Sequence, residues 1–477
     1  MKKLVGIDDL TTYVPKTYLE LVPEYEARKG NYVDSEFSKL RGIPPSRIAK
    51  GIGVYQFGWP DGHEDSVTMG AMAFKKLIEK NDLRLSDIGR VFVGTESAVD
   101  HSKPNAMFIV GAVERALGKE GETKSYTPLD LKFACAGATA GLELMSEWIE
   151  TGKNNGKAGV VIATDVSHYL LGTKEKESIE EITQGAGAVA MLVKENPRLL
   201  ALENSMTTEI TSTVCKDEKD FFRPLNRHSA VVDGQLSVDC YLNACKAALT
   251  DYREKAVTQG FVKDEELLTD KFDRILVHLP FHKMGEYAGV SLFRHEWRNT
   301  PRFREIEREI GPEPSIEDVK ADKEFARKFR ETKLFKEVFS EKMEKGLAAS
   351  ERTGNLYTGS LYAAFSSMLE LESQQGTDIG GMRFAFGSYG SGLMFKAFTG
   401  IVQPGFKEVI GKLDLLKTLD EKGTDKRISL SVAEYERLHE KNSGMAESVL
   451  PPKNEFVLAS IGTSKVDEGY RYYKFVD

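Results

Sequence analysis

The sequence predicts a layered α/β fold. Short apolar runs of β type alternate with stretches that have helical hydrophobic periodicity, a pattern typical of sheets covered by helices. With 477 residues the chain is too long for one small core, so we expect two domains or two halves fused into one body. Two pairs of similar segments, with one member of each pair in the first half and the other in the second, are a third observation that suggests two related halves.

The hydrophobic pattern places the elements in chain order. In the first half it predicts strands at Lys3–Ile7, Arg90–Val93, Leu129–Phe133 and Gly159–Ala163 and in GAGAVAMLV from Gly185, and helices at Ser66–Glu79, Asn105–Leu117 and Gly137–Glu150. In the second half it predicts strands at Arg274–His278, Arg383–Phe386 and Gly392–Thr399, and helices at Val238–Ala256 and Ser360–Glu372.

The similar segments are short. GRVFVGTES near residue 90 parallels DRILVHLPF near 274, and GAGAVAMLV near 185 parallels GSGLMFKAF near 390. The pattern alone leaves duplication and chance similarity open. A stretch at about 296–345, dense in Arg, Lys and Glu with apolar residues at helical spacing, predicts exposed amphipathic helices.

Composition excludes several classes of protein. Lys plus Arg is 65 and Asp plus Glu is 73, giving a net charge of −8, which argues against general nucleic-acid binding. The apolar run after the N-terminal lysines is too short for a signal peptide, and no run approaches membrane-spanning length. Four cysteines without metal-site spacing or a disulfide pattern predict a reduced, cytoplasmic protein with no bound metal.

Cys135 is the first candidate for chemistry. It stands in LDLKFACAGATAGLELM, where a strand-like run leads into the cysteine and small residues lead into a helix. A sulfur near a helix N-terminus is expected to have a lowered pKa, and small neighbours leave room for a substrate. The alternative is a buried structural cysteine on a tightly packed helix.

Glu96 and His278 each follow an apolar strand, in VFVGTES and ILVHLPF. Ligand sites in α/β folds gather at strand ends. Partial burial there would raise the pKa of Glu96 toward a range useful for proton transfer, and an imidazole can donate a hydrogen bond or a proton to a carbonyl oxygen. The alternatives are a solvated loop glutamate and a core histidine bonded to backbone. Lys283, shortly after His278, is a candidate partner for an anionic group.

Two glycine-rich turns complete the set. Asn355 in TGNLYTGSLY and Ser391 in SYGSGLMF lie where backbone N–H groups can approach a ligand, although ordinary turn chemistry also uses these residues. GAGAVAM lacks the GxGxxG spacing of a dinucleotide site. A Cys, Glu, His and Asn set without a nucleotide loop favours acyl transfer to a thiol followed by carbon–carbon bond formation.

The chain resembles the 3-hydroxy-3-methylglutaryl-CoA synthase family of the thiolase superfamily. The resemblance runs from VGIDDLTTYVP to SYGSGLMFKAF and includes VGTES, FACAGATAGLE, KDFFRP, VDGQLSVDCYL, HLPFHKM and GNLYTGSLY. It implies a five-layered αβαβα thiolase-like fold made of two duplicated halves, 1–195 with Glu96 and Cys135 and 196–477 with His278, Asn355 and Ser391. It also implies a homodimer that needs no cofactor beyond its coenzyme A thioester substrates, acetyl-CoA and acetoacetyl-CoA.

The resemblance also assigns roles. Cys135 corresponds to the acetylated cysteine, Glu96 to the base that removes a proton from the acetyl methyl, and His278 to the histidine that polarises the ketone of acetoacetyl-CoA. The substrate-contacting positions are Asn355, Ser391, Lys283, Thr183 and Ser237, with Lys283 toward coenzyme A, and the supporting acidic residues are Asp165 and Asp220.

Two departures from the family affect the expected substrates. Ala136 stands where the family has an aromatic residue after the nucleophile, which predicts extra space beside the sulfur, and Thr173–Ile182 is longer and more charged than expected. A β-branching synthase acting on a carrier-protein-bound β-keto chain, a type III ketoacyl synthase and a non-catalytic scaffold homologue are the alternatives. Glu96 favours the synthase group over a ketoacyl synthase, and the joint presence of Cys135, Glu96 and His278 argues against a scaffold.

Overall fold

The structure is a computed structural model that describes residues 3–122, 125–173, 178–206, 210–422, 426–441 and 444–477. Its strands are β1 (Val5–Tyr13), β2 (Thr17–Glu20), β3 (Gln56–Gly58), β4 (Ile88–Gly94), β5 (Thr127–Leu131), β6 (Ala158–Ser167), β7 (Gly185–Glu195), β8 (Leu200–Leu202), β9 (Ser212–Cys215), β10 (Phe221–Phe222), β11 (Val231–Val232), β12 (Arg274–Val277), β13 (Arg383–Gly390), β14 (Met394–Val402), β15 (Ile428–Leu430), β16 (Glu455–Ile461) and β17 (Arg471–Val476). Its α-helices are α1 (Glu24–Arg28), α2 (Glu36–Arg41), α3 (Ser66–Lys80), α4 (Asn105–Ala116), α5 (Gly137–Glu150), α6 (Gly234–Thr258), α7 (His282–Trp297), α8 (Pro301–Ile310), α9 (Val319–Glu331), α10 (Lys333–Phe339), α11 (Lys345–Leu347), α12 (Ser350–Thr353), α13 (Ser360–Gln374), α14 (Lys407–Ile410), α15 (Leu415–Asp420) and α16 (Val432–Glu440).

One mixed sheet runs through the molecule in the order β12-β13-β14-β8-β1-β7-β6-β4-β5, and β9 pairs with β14. In the first half β4 is parallel to β6, and β7 runs antiparallel to β6. In the second half β12 is parallel to β13, and β14 runs antiparallel to β13. The two pairs of similar segments therefore occupy corresponding strands, β4 with β12 and β7 with β14. The division of the chain at residue 195 stays a prediction.

Helices cover both faces of the first half of the sheet. Strand β7 shows this most clearly, since alternate residues enter two different cores. Ala188, Ala190 and Leu192 pack with α3 and α4 on the outer face, while Val189, Met191 and Val193 pack with α5 on the inner face. Coverage on both sides explains why GAGAVAMLV is a continuous apolar run and not an alternating one.

Helices α5 and α13 form the central layer. Leu142 of α5 and Met368 of α13 belong to one core cluster, which also contains residues from both halves of the sheet. Beyond the second half of the sheet, α6 packs on β14 and α7 packs on α6. The layers are thus α3 with α4, sheet, α5 with α13, sheet, and α6 with α7, which confirms the five-layered αβαβα fold.

The element predictions agree with the structure except at particular ends. Helix α5 has the predicted bounds, whereas β5 ends at Leu131 instead of Phe133 because the chain turns before Cys135, with Ala134 at a φ of 38°. Helix α6 starts earlier than predicted because the Asp233 side chain caps it by accepting the amide N–H of Leu236. The C-terminal strands β16 and β17, which pack on α3 and α4, were not predicted.

The charged stretch forms helices, as predicted. Helices α8, α9 and α10 lie within it, and each has an apolar face that is buried in the main core, through Phe303, Ile306, Phe325, Phe329 and Phe335. Among the helices in the described ranges, none combines the length and apolar character that crossing a membrane requires.

Candidate active site

Cys135 lies in the short link between β5 and α5. The link is tightly packed because glycines, which have no side chain, lie at the end of β4 and at the start of α5. A Cβ added to Gly94, the last residue of β4, would lie 2.2 Å from the amide nitrogen of Ala138, and Gly137 begins α5. Only glycine allows the end of β4 to approach the start of α5 this closely. The predicted position of the sulfur at the start of a helix is confirmed.

The thiol of Cys135 donates a hydrogen bond of 3.0 Å to Oε1 of Glu96. Burial first, and then the neighbouring carboxylate of Glu96, raise the pKa of the Cys135 thiol well above its ordinary value. The predicted lowering of this pKa is therefore wrong, because desolvation and nearby negative charge outweigh the partial positive charge at the start of α5.

Glu96 has the raised pKa that its strand-end position predicts. Burial first, and then the charge of Asp165, raise the pKa of the Glu96 carboxyl to about 8. At neutral pH the carboxyl is largely protonated, and it becomes a base as the pH passes about 8. A carboxyl of this pKa can take and return a proton near neutral pH, which is the requirement for general acid–base work.

Asp165, at the end of β6, holds the backbone of Glu96. Its Oδ1 accepts the Glu96 amide N–H at 2.7 Å and the Thr95 hydroxyl at 3.0 Å. The carboxyl is fully buried, and burial raises its pKa. The charge of Asp165 in turn disfavours ionisation of the half-buried Glu96 carboxyl.

Three aromatic rings pack beside Cys135. Tyr169, Phe221 and Tyr357 lie edge to face, with ring centroids 5.9–6.4 Å apart, and Cys135 packs against this cluster. Sequence reasoning missed these rings as site residues. The signals were present, because Phe221 stands in KDFFRP and Tyr357 in GNLYTGSLY.

The structure brings Asn355 and Thr183 together. The backbone N–H of Asn355 donates a hydrogen bond to the backbone carbonyl of Thr183 at 3.2 Å. Oδ1 of Asn355 accepts the Tyr357 amide at 2.8 Å and the Ser360 hydroxyl at 3.0 Å, so the turn is fixed by its own side chain. The same turn therefore places Asn355 beside Thr183 and Tyr357 beside Cys135.

Asp220 organises the turn that carries Ser391. Its carboxylate accepts the Tyr389 hydroxyl at 2.8 Å, the Gly392 amide at 2.9 Å and the Ser237 hydroxyl at 3.4 Å. Asp220 is fully buried. The two predicted contact residues, Ser391 and Ser237, thus share one buried anchor.

The Ser391 turn packs against the Cys135 link at Ala136. A Cβ added to Gly390 would lie 2.9 Å from Cβ of Ala136, and Ala136 is 0% exposed. Its methyl group therefore faces protein, and the expected extra space does not open at this side chain. In the segment Thr173–Ile182, residues 174–177 lie outside the described residues.

His278 is a buried, neutral imidazole at the end of β12. Its amide donates to the Gly387 carbonyl at 2.8 Å, and its carbonyl accepts the Tyr241 hydroxyl at 2.9 Å. Within the described ranges its Nδ1 has no hydrogen-bond partner. Burial lowers its pKa to about 3, so at neutral pH the ring can donate or accept a hydrogen bond but carries no extra proton to give.

Among the described residues, no contact links Lys283 to the Cys135 cluster. Lys283 is the second residue of α7 and forms an ion pair with Glu286, which also pairs with Arg330 of α9 at 3.1 Å. In the part of the chain that the structure describes, no group of three or more His, Cys, Asp or Glu side chains is arranged to hold a metal ion.

Known proteins share both the sequence and this architecture. The family model of the hydroxymethylglutaryl-coenzyme A synthase N-terminal region matches residues 2–197, and that of the C-terminal region matches residues 205–473. The chain is 33% identical over 484 residues to the hydroxymethylglutaryl-CoA synthase of Haloferax volcanii, covering 99% of each chain. It is 31% identical over 436 residues to that of Enterococcus faecalis, covering 91% of each.

A solved structure of MvaS in complex with 3-hydroxy-3-methylglutaryl coenzyme A is similar over the whole length. It has a TM-score of 0.80 and 30% sequence identity, and the match covers 100% of both chains. The two family models together span residues 2–197 and 205–473, and the relatives match over almost the whole chain. The chain belongs to the hydroxymethylglutaryl-CoA synthase family.

Proposed function

We propose that this chain condenses acetyl-CoA with acetoacetyl-CoA and water to give 3-hydroxy-3-methylglutaryl-CoA and coenzyme A. The observation that carries the proposal is the contact between the Cys135 thiol and the Glu96 carboxyl. It joins a nucleophile to a proton acceptor of pKa about 8 beside a cluster of aromatic side chains. The family membership of the chain supports the same reaction.

In the first step the sulfur of Cys135 attacks the acetyl carbonyl, coenzyme A leaves as a thiol, and the proton of Cys135 ends on the leaving sulfur. Glu96 then removes a proton from the methyl group of acetyl-Cys135. The resulting carbanion attacks the ketone carbon of acetoacetyl-CoA, forming the new carbon–carbon bond and an alkoxide.

His278 donates a hydrogen bond to the ketone oxygen. Its pKa of about 3 supports a neutral donor in place of an imidazolium acid. The proton for the alkoxide then comes from the Glu96 carboxyl, which took one from the methyl group. Water finally hydrolyses the thioester at Cys135 and restores the thiol.

The remaining site residues bind or support. We assign substrate contacts to Asn355, Thr183, Ser391 and Ser237, a coenzyme A contact to Lys283, and supporting roles to Asp165 and Asp220. The backbone hydrogen bond between Asn355 and Thr183, and the Asp220 anchor that Ser237 and the Ser391 turn share, support two separate contact regions.

We propose a homodimer that works in the cytoplasm. Strand β5 is the edge of the main sheet, and its Leu129 is 45% exposed. Helices α4 and α5 flank this strand and expose Met107 and Leu144. A free edge with apolar neighbours suits pairing with a second copy. A rat relative named as the cytoplasmic hydroxymethylglutaryl-CoA synthase, 29% identical over 398 residues, supports the location.

A β-branching synthase with a carrier-protein acceptor has weaker support. The curacin biosynthetic HMG synthase, solved with its acetyl donor-ACP, is 23% identical, with a TM-score of 0.75, and shares the fold. The Haloferax volcanii and Enterococcus faecalis relatives, at 33% and 31% identity, are named hydroxymethylglutaryl-CoA synthases.

The test separates acetylation from condensation in Glu96→Ala. We expect acetyl-Cys135 still to form, because the Glu96 charge and hydrogen bond raise the thiol pKa and their loss lowers it. Condensation should fall on the order of a hundred- to ten-thousand-fold, the usual contribution of a general base. Intact mass after acetyl-CoA alone measures the first step, and release of coenzyme A with acetoacetyl-CoA measures the second. Near-normal condensation in Glu96→Ala would show that another residue is the base.

A further inference from the structure

We propose that Thr358 is a positioning residue for the condensation step, because it holds Asp165 in place and Asp165 in turn holds Glu96. This proposal rests on the proposed role of Glu96 as the base. Thr358 belongs to GNLYTGSLY in the second half of the chain, whereas Asp165 and Glu96 belong to the first half.

The contacts of Thr358 cross between the two halves. It lies in the single turn Tyr357–Gly359 just before α13 and is 1% exposed. Its hydroxyl lies 2.5 Å from Oδ2 of Asp165 and 2.9 Å from the carbonyl oxygen of Gly94. Its amide donates to the same Oδ2 at 3.1 Å.

A hydroxyl carries one proton and donates to one acceptor at a time. An ionised carboxylate is a stronger acceptor than a carbonyl, so the proton of Thr358 goes to Asp165 while Asp165 is charged. Two donors from Thr358 then hold Oδ2, and the Glu96 amide and the Thr95 hydroxyl hold Oδ1. Both oxygens of Asp165 are fixed, and the orientation of the Glu96 backbone follows from that.

The same contact contributes to the electrostatics of the pair, alongside Cys135, Arg223 and Lys132, each of which lowers the pKa of Glu96. Burial raises the pKa of Asp165, and the first of the opposing effects is the hydrogen bond from the Thr358 side chain. The charge of Asp165 is in turn the second cause, after burial, of the raised pKa of Glu96. Without the hydroxyl, Asp165 would hold its proton to higher pH, and the pKa of Glu96 would fall.

The experiment uses the full-length enzyme with Thr358→Val, which removes the hydroxyl at nearly constant volume, and Thr358→Ser, which keeps it. Thr11→Val is the matched control, since Thr11 is also buried and its hydroxyl donates to one backbone carbonyl, that of Ala73, at 2.7 Å. Acetylation of Cys135 and condensation are measured separately, and condensation is followed as a function of pH.

For Thr358→Val we expect acetylation close to the native rate and a condensation rate lower by about ten- to a hundred-fold, the effect of slight misplacement of a reacting group. We also expect the rise of condensation with pH to move to lower pH. Thr358→Ser should restore both the rate and the pH profile, and Thr11→Val should match the native enzyme in both.

Native condensation and an unmoved profile in Thr358→Val would overturn the proposal. So would equal losses in the valine and serine variants with an unmoved profile, since that pattern reflects packing alone. If the valine variant does not fold, Thr358→Ala removes the same hydroxyl and is judged by the same two readouts. Normal condensation in Glu96→Ala would instead refute the base assignment, which separates the two failures.

Discussion

The sulfur of Cys135 lies 3.0 Å from Oε1 of Glu96, although the two residues are 39 positions apart in the chain. Parallel pairing of β4 with β5 creates this proximity, because both strands end at the same edge of the sheet. Glu96 follows one strand and Cys135 follows the other. The reacting pair is therefore a product of strand register.

We expect Cys135→Ala to abolish acetylation by acetyl-CoA. Cys215, Cys240 and Cys245 remain in that variant, and all four cysteines are free thiols in the structure. Cys240 and Cys245 are both buried in the core, so a bulky acyl thioester does not reach either sulfur. Intact mass spectrometry should show one added acetyl group on the native protein and none on the variant. Cys245→Ala is the control and should acetylate normally, whereas acetylation of Cys135→Ala would contradict the assignment.

Condensation should depend on pH through Glu96. The base must be ionised, and its pKa is raised to about 8, so the rate should rise as the pH increases through about 8. The pH dependence of the single-turnover rate from acetyl-Cys135 measures this directly. Glu96→Gln should lose both the rate and the pH-dependent rise. A native profile that is flat between pH 7 and 9 would place the titrating group elsewhere.

Acidification should destabilise the protein partly through His168 and His439. Their rings are 3.8 Å apart, and burial lowers their pKa values to about 4 and about 3. Both stay neutral in the folded state while the unfolded chain takes up protons below about pH 6.5. Stability is therefore retained above that pH and falls by up to about 1.4 kcal/mol per pH unit for each group as the pH decreases toward 4.

The measurement is urea unfolding at pH 7 and pH 5 for the native protein and His439→Gln. The variant lacks one titrating ring, so it should lose less stability between the two pH values than the native protein does. Equal losses in the two proteins would show that His439 does not contribute. Arg223, His228 and Arg41 lie close enough to affect these rings electrostatically, and all are kept unchanged in the comparison.

Ala136→Tyr should destabilise the fold. Ala136 has no exposed surface and contacts the Gly390 turn, so a ring has no space without movement of backbone. Overpacking of a filled core typically costs about 1–3 kcal/mol. Urea unfolding at constant pH measures the loss, and Ala136→Ser, which adds one small atom, should cost less. A tyrosine variant as stable as the native protein would show that space for a ring exists, and longer acyl-CoA donors would then be the next substrates to compare.

Lys283→Ala should raise the Michaelis constant for a coenzyme A substrate more than it lowers turnover, if the lysine contributes uniform binding. Lys283 must leave its ion pair with Glu286 to contact coenzyme A. Glu286→Gln should therefore lower the Michaelis constant for the coenzyme A substrate. Steady-state kinetics with acetyl-CoA and acetoacetyl-CoA varied in turn test both variants. Unchanged Michaelis constants for both substrates in Lys283→Ala would remove this residue from the binding site.

The sequence by itself determined the order and type of the main elements. Helix Gly137–Glu150 was predicted with its observed bounds because hydrophobic periodicity and the small residues after Cys135 are local signals. The ends of strands could also be predicted locally, which marked Cys135, Glu96 and His278 as candidate site residues. Resemblance of several motifs, and not periodicity, supplied the five layers and the residue roles.

Only the tertiary structure decided which side chains meet and how they ionise. Thr358 reaches Asp165 across 193 positions, and Tyr169, Phe221 and Tyr357 converge on one sulfur from separate segments. The pKa of Cys135 is raised, whereas its place at the start of a helix predicted a lowered pKa. The physical reason is that burial and neighbouring charge depend on contacts between distant segments, which the register of the sheet fixes and a local pattern does not contain.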